Sequence, residues 1–161
     1  LGESVKSLTL IGPASIGDVS RKGGMRPLQR RRLDMSASEL EALHRVNLSH
    51  LMISDPAKID ALALRVQAIN TEQARFNSPK FAKNRMVLDA VAQLRLPIQV
   101  IYGDQDGPAL PDVASKGALF FAENTEVQFE LVPNCGHWLA FEQPEVFLAL
   151  MHAWIKRCAS G

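Results

Sequence analysis

Two short segments in the C-terminal third of the chain carry the residues best suited to chemistry. One is Gly103-Asp104-Gln105-Asp106, and the other is Cys135-Gly136-His137-Trp138. Each follows an apolar stretch typical of a buried strand, and about thirty residues separate the acids from the histidine. An acid after one strand and a histidine after the next are two members of a nucleophile–histidine–acid triad. The pattern therefore indicates acyl-transfer chemistry.

His137 is the candidate general base and acid. Imidazole titrates near neutral pH, so it can take the proton of a nucleophile and return it to a leaving group. The competing interpretation is a histidine that serves only packing or solubility. Asp106 is the candidate acid that orients the ring, because the Gly-x-x-Asp spacing favours it. Asp104 is the alternative acid, and it is more simply explained as a turn residue.

The nucleophile is the member of the triad that is hard to find. Ser15 lies in Pro13-Ala14-Ser15-Ile16-Gly17, follows a predicted strand and stands in the chain order serine, acid, histidine. Proline, however, does not permit the strained close approach that the first glycine of a Gly-x-Ser-x-Gly turn allows. No helix is predicted directly after this turn, and no further strand is predicted before the acid. We therefore interpret Ser15 as a turn residue that is a candidate for substrate binding, and a mini-hydrolase that uses it stays an alternative.

Other residues of reactive type have simpler explanations. Trp138 is a candidate substrate-binding residue, although packing of its loop against the core explains it equally well. Cys135 stands two residues from His137 on the same loop, which is too close for a cysteine–histidine couple. His44 and His50 are six apart on one predicted helix, and a metal pair needs a spacing of three or four. No metal site is predicted.

The predicted elements that position these residues alternate between strand and helix. The strands are Val5–Ile11, Pro97–Tyr102 and Glu126–Val132. The helices are Ala37–Ile53, opened by a capping box at Ser36, a second from Asp55 to about Arg75, a broken third from Ser78 through Leu94, then Pro111–Glu123 and Pro144–Arg157. Strands separated by helices predict an α/β fold with a parallel sheet of about three strands.

This order predicts three segments. Residues 1–17 form a core strand and turn, residues 18–94 form a helical block, and residues 95–161 form a C-terminal core with the acid and histidine loops. A parallel sheet needs both faces and both edges covered. The first predicted strand starts almost at the beginning of the chain, so we expect it to pair with a strand that this chain does not contain.

Composition excludes several classes of function. The 161 residues are 47% hydrophobic and 22% charged, which is ordinary for a soluble globular domain. A net charge of +1 gives no general affinity for nucleic acid or for an acidic membrane. The four arginines between positions 26 and 32 are interpreted as a solvated loop or helix end, and the alternative is an anion site. Two cysteines, no apolar span and no signal peptide predict a cytoplasmic protein without a membrane partner.

The stretch from Pro97 to Ile155 resembles the C-terminal part of an α/β-hydrolase. The resemblance rests on the strand that ends in Gly103-Asp104-Gln105-Asp106, on the Gly136-His137 loop, and on Glu142-Gln143-Pro144 before the last helix. Residues 5–13 resemble the strand that follows the nucleophile helix, and the helical block resembles the lid. The resemblance covers the whole chain but only the back half of the family's fold.

The resemblance implies a hydrolase that needs no cofactor and no metal. Cys135-Gly136-His137-Trp138 is similar to the histidine loop of meta-cleavage-product hydrolases, which break a carbon–carbon bond in ring-fission products. Those enzymes carry an arginine on a lid helix for the acid end of the substrate, and Arg65 is the nearest candidate here. Ester, lactone and thioester hydrolases share the scaffold. The implied substrate is a small, largely apolar ester, lactone or ring-fission compound.

The resemblance also implies a partner. The first five strands, the oxyanion donors and the serine nucleophile would lie upstream. The chain begins Leu1-Gly2-Glu3 without an initiator methionine, and we expect the N-terminal half to be a missing segment or a separate chain. This chain alone would then be inactive. The alternative is a non-catalytic α/β module that pairs with a partner through its first strand.

Overall fold

The computed structural model describes residues 4–17, 25–75 and 81–159. Within these ranges three strands form one sheet, β1 (Leu8–Ile11), β2 (Ile98–Gly103) and β3 (Gln128–Val132). Their order is β1-β2-β3, and both neighbouring pairs are parallel. The predicted α/β fold with a three-stranded parallel sheet is confirmed.

The central strand β2 is buried along its whole length. Val100 pairs with Leu10 on one side and with Phe129 on the other. Tyr102 and Val100 face one core cluster, and Ile101 faces another, as expected where successive side chains alternate between the two faces. A nearly continuous apolar run is what a parallel strand needs when both faces are covered.

Helices cover both faces of the sheet. The helices of the described residues are α1 (Ala37–Leu51), α2 (Ala61–Gln73), α3 (Met86–Gln93), α4 (Lys116–Glu123), α5 (Leu139–Glu142) and α6 (Pro144–Ala159). On one face, Leu88 and Val91 of α3 and Phe120 of α4 are buried against β2. On the other face, Leu139 of α5 and Phe147 of α6 pack with Ile101. The result is a three-layer α/β/α arrangement.

The predicted lid segment contains helices in two different environments. The first two, α1 and α2, share their own cluster, which contains Leu48, Ile53, Ile59 and Ala63. The third, α3, packs into the core of the sheet instead. The chain leaves and re-enters the core at neighbouring points, because the Ser15 carbonyl accepts the N–H of Val87 at 3.1 Å. The N–H of Gly17 likewise donates to the Asn84 carbonyl at 2.7 Å.

The capping box predicted at the start of α1 is confirmed. The Ser36 hydroxyl accepts the N–H of Glu39, and the Glu39 carboxylate accepts the N–H of Ser36 at 2.7 Å. The exposed loop predicted for the arginine cluster is also confirmed. It lies along α1, where His50 Nδ1 is 2.9 Å from the Pro27 carbonyl.

The second predicted helix was wrong in its extent. A short 3₁₀ helix, Pro56–Lys58, comes first, and α2 begins only at Ala61. Two aspartates explain the break, because each caps its own element. Asp55 accepts the N–H of Ala57 at 2.9 Å, and Asp60 accepts the N–H of Ala63 at 2.8 Å.

The helix predicted from Pro111 begins five residues later, at Lys116. The intervening residues form a turn in which Asp112 accepts the N–H of Ser115 at 3.1 Å. The short helix α5 is not among the predicted elements. The predicted helix start at Ser78 and Pro79 lies outside the described residues. In the part of the chain that the structure describes, no helix has the length and apolar character to cross a membrane.

Candidate active site

The carboxyl ends of β2 and β3 bring the acid loop and the histidine loop together. Parallel strands end at the same edge of a sheet, and backbone hydrogen bonds join the two loops there. The N–H of Asp104 donates to the Val132 carbonyl, and the N–H of Gln105 donates to the Cys135 carbonyl, both at 2.9 Å. The Asp104 carboxylate accepts the N–H of Cys135 at 3.2 Å. Asp104 therefore joins the loops, and it is Asp106 that forms the hydrogen bond with the histidine ring.

Asp106 is buried, with 1% of its surface exposed. One carboxylate oxygen, Oδ1, accepts the N–H of Ala109 at 3.1 Å and caps a short 3₁₀ helix, Gly107–Ala109. The other oxygen, Oδ2, lies 2.8 Å from Nδ1 of His137. Because the cap fixes one oxygen, the second is held in place to bind the ring.

His137 is bound to Asp106 through Nδ1 and remains partly exposed. A carboxylate only accepts hydrogen bonds, so Nδ1 is the donor and the neutral ring has its lone pair on Nε2. No described residue forms a hydrogen bond with Nε2, and 27% of the side chain is exposed. The turn after β1 packs against this pair at Gly12. The arrangement can hold an imidazole ready to accept a proton at Nε2.

Tyr102 holds the turn after β1 through a hydrogen bond. It is the last aromatic residue of β2, it is buried, and its hydroxyl donates to the Pro13 carbonyl at 2.5 Å. Burial raises the pKa of the Tyr102 hydroxyl above its usual range, and the negative charge of Asp106 adds to the effect. Tyr102 is the chain's single tyrosine, and the sequence offered no signal that it would support this turn.

Ser15 lies on the same turn, three residues after Gly12, and its backbone is left-handed, with φ of 60°. Its hydroxyl donates to the Phe81 carbonyl at 3.1 Å. In residues 16–17 and 25–36, which the structure describes after Ser15, no helix begins. Ser15 thus bridges the two ends of the lid segment, and its part in substrate binding stays a prediction.

Trp138 follows the histidine, and its side chain packs against the helices of the predicted lid segment. Its indole contacts Phe141 at 5.9 Å between ring centroids and joins the cluster around Leu48 and Ile53. The backbone N–H of Trp138 donates to the Met52 carbonyl at 2.8 Å. This is the packing role weighed above, and substrate contact stays a prediction.

The side chains of the remaining candidates form no hydrogen bond with His137 or Asp106 among the described residues. Cys135 is buried, and burial together with the nearby Glu142 carboxylate raises the pKa of its thiol to about 12. Arg65 is exposed on α2 and forms no hydrogen bond or ion pair with another described residue. His44 is buried in α1, where desolvation lowers its pKa.

Glu142 was not among the predicted site residues, although it proves to be the most heavily bonded carboxylate beside the histidine loop. It is 1% exposed and accepts the N–H of Gly136 at 2.7 Å. It also accepts hydrogen bonds from Ser54 and Asp55. Its place in a Glu-x-Pro motif was visible in the sequence, but its donors lie far away along the chain.

Sequence comparison finds no matching family model and no matching curated protein. Comparison of structures finds clear likenesses. The chain is similar to a meta-cleavage product hydrolase from Pseudomonas fluorescens IP01, with 17% identity and a TM-score of 0.60 over 96% of this chain and 57% of that one. It is similar to an esterase from Rhodococcus sp. ECU1013, with 19% identity and a TM-score of 0.63 over 94% and 56%.

A further likeness is to a 2-hydroxy-6-oxo-6-phenylhexa-2,4-dienoate hydrolase from Rhodococcus sp. strain RHA1. Here the identity is 14% and the TM-score 0.51, over 94% of this chain and 55% of that one. The chain thus spans about half the length of the structures it matches. At these identities the likeness shows the fold, which is that of the C-terminal half of an α/β-hydrolase.

Proposed function

We propose that this half of an α/β-hydrolase fold supplies the histidine, the acid and the lid of a hydrolase that works through an acyl-enzyme. His137 is the general base and acid, and Asp106 orients its ring and stabilises the imidazolium. The nucleophile, a serine, and the oxyanion donors belong to an N-terminal portion or a partner chain. Water activated by His137 then hydrolyses the acyl-enzyme.

One observation carries this proposal. The buried carboxylate of Asp106 lies 2.8 Å from Nδ1 of His137, on adjacent loops at the carboxyl edge of a parallel sheet. A carboxylate in that position selects the tautomer whose free lone pair is on Nε2. The pairing of a buried acid with a partly exposed imidazole is the arrangement that base catalysis requires.

The free edge of β1 supports an N-terminal partner. Among the described residues β1 pairs with β2 alone, so its other edge presents unpaired backbone groups. The neighbouring apolar residues Val5 and Ile11 are 37% and 44% exposed. A strand from the proposed N-terminal portion or partner chain would complete this edge, and the nucleophile would then lie next to Gly12 and His137.

The substrate that fits best is a small, largely apolar ester, lactone or ring-fission compound. The lid cluster next to Trp138 is built from Leu48, Ile53, Ile59 and Ala63. These four side chains are at most 3% exposed, so an apolar acyl group would meet the partly buried residues packed on them, such as Trp138 and Phe141. Both a meta-cleavage product hydrolase and an esterase are among the proteins of similar fold.

A fluorophosphonate probe tests the proposal. The protein is isolated together with any chain that co-purifies, labelled, and mapped by peptide mass spectrometry. We expect the label on a serine outside this chain, and hydrolysis of a p-nitrophenyl ester that is lost in His137→Gln. A label on Ser15 would establish the mini-hydrolase instead. Absence of both label and hydrolysis, with an intact partner chain bound, would favour a non-catalytic module that pairs through β1.

A further inference from the structure

Backbone hydrogen bonds hold the histidine loop on both sides of His137. On one side, the N–H of Gly136 donates to Glu142 Oε2 at 2.7 Å. On the other, the N–H of Trp138 donates to the Met52 carbonyl at 2.8 Å. Gly136 approaches the lid so closely that a Cβ there would lie 2.6 Å from the Met52 carbonyl oxygen.

The Glu142 carboxylate also reaches the lid directly. Oε1 accepts the Ser54 hydroxyl at 2.5 Å and the N–H of Asp55 at 2.8 Å. Oε2 accepts the N–H of Ser54 at 3.1 Å in addition to that of Gly136. A carboxylate has about four acceptor positions, and these four donors occupy them. Lys58, in the following 3₁₀ helix, donates its ammonium to the Glu142 carbonyl.

We propose that Glu142 is a positioning residue, whose carboxylate ties the lid junction Met52–Asp55 to the histidine loop and thereby holds the His137 ring against Asp106. A buried carboxylate is stable only when its acceptors are filled, so the lid junction and the loop are ordered together. Movement of the lid junction Met52–Asp55 displaces His137. The catalytic meaning of this role rests on the proposed function, whereas the coupling itself does not.

Two substitutions separate the acceptor role from simple packing. Glu142→Ala removes all four hydrogen bonds. Glu142→Gln keeps the size but places an NH₂ group against two of the donors in either orientation, so the N–H of Asp55, or those of Ser54 and Gly136, loses its acceptor. Glu145→Gln is the matched control, because Glu145 is an exposed acid on the first turn of α6.

Two NMR measurements report the coupling between the lid junction and the histidine loop, and neither needs an enzyme assay. One is the Nδ1 proton resonance of His137 in chain labelled with ¹⁵N-histidine, assigned among four histidines by His137→Gln. The other is hydrogen exchange at the amides of Gly136 and Asp55. In Glu142→Ala we expect loss or displacement of the resonance and exchange faster by about tenfold or more at both amides. In Glu142→Gln we expect the same change at one amide at least and a displaced resonance, and Glu145→Gln should match the wild type.

An unchanged resonance and unchanged exchange in a folded Glu142→Ala chain would overturn the inference. If that variant does not fold, Ser54→Ala decides, because it removes one donor only, and about threefold faster exchange at Asp55 or Gly136 is expected. Equal rates in Ser54→Ala would then count against the coupling. If the wild type itself lacks the Nδ1 resonance, the histidine–acid pair and the proposed function fail, which is a different result.

Discussion

Gly12 stands directly against the imidazole of His137. A Cβ atom at position 12 would lie 2.8 Å from both Cε1 and Nδ1 of His137 and 3.0 Å from Oδ2 of Asp106. Gly12 also has φ of +52°, which glycine adopts readily and other residues adopt at a cost of about 1 kcal/mol or more. The turn after β1 thus sets how far the histidine ring can move toward the first strand.

Replacing Gly12 with alanine should displace the histidine ring. We expect Gly12→Ala to lower the free energy of unfolding by about 1–2 kcal/mol and to lower kcat/KM of the assembled enzyme by about a hundredfold. Gly17→Ala is the control, since Gly17 has φ of +97° and, among the described residues, its Cβ would meet only Arg85 Cγ, at 3.6 Å. Thermal unfolding and ester hydrolysis measure both variants. Equal losses of activity in the two would contradict the contact as the cause.

The two acids of the loop after β2 should differ sharply when each is changed to its amide. Asp106→Asn places an amide beside Nδ1 of His137 and should lower kcat by about 10³–10⁴-fold. Asp104→Asn weakens one hydrogen bond to Cys135 and should leave kcat within about tenfold of the wild type. Steady-state kinetics on the assembled enzyme decides between them. A larger effect of Asp104→Asn would show that Asp104, and not Asp106, is the acid that orients His137.

Cys135 should be chemically inert in the folded protein. Its pKa is raised to about 12, so at pH 8 only about one thiol in ten thousand is ionised. Cys158, by contrast, lies partly exposed in the last turn of α6. Iodoacetamide at pH 8, followed by peptide mass spectrometry, should label Cys158 well before Cys135. Comparable labelling of both without denaturant would show that the histidine loop opens readily.

The single tyrosine provides a direct record of folding at high pH. The pKa of Tyr102 is raised in the folded state, so its contribution to stability is present below the ordinary tyrosine pKa of about 10 and is lost as the pH rises above it. Absorbance at alkaline pH should show tyrosinate only as the chain unfolds. Tyr102→Phe should abolish that signal and lower the free energy of unfolding by about 1 kcal/mol, because the Pro13 carbonyl loses its donor. Ionisation of a still-folded chain would contradict this.

The sheet and the histidine–acid pair were predictable because their signals are local. The apolar run of β2, the acid that follows it and the histidine after β3 are each visible within a few residues, and parallel strands end at one edge. Glu142 was not predictable in the same way. Its donors Ser54 and Asp55 lie 88 and 87 residues away, and nothing near position 142 records them.

Helix boundaries were predicted less well where two capping residues compete. Asp55 followed by Pro56 is a strong helix start, but Asp60 is another, and the chain uses both for separate elements. The buried side chain of Ile59, between them, decides the outcome by packing into the lid cluster. Such a choice depends on tertiary contacts that the spacing of apolar residues does not reveal.

Hydrogen bonds join residues 15–17 to residues 84–87. The segment between them can therefore be replaced by a segment of another sequence or length without a change in the sheet. Because its two ends meet at the core, a segment of another length costs little, about 0.6 kcal/mol of closure entropy for each doubling. Under the proposed function, this segment is where substrate range can diversify while the sheet stays the same. Every replacement segment must meet one requirement. It must contain a counterpart of Met52–Asp55, because otherwise the hydrogen bonds that hold the histidine loop are lost.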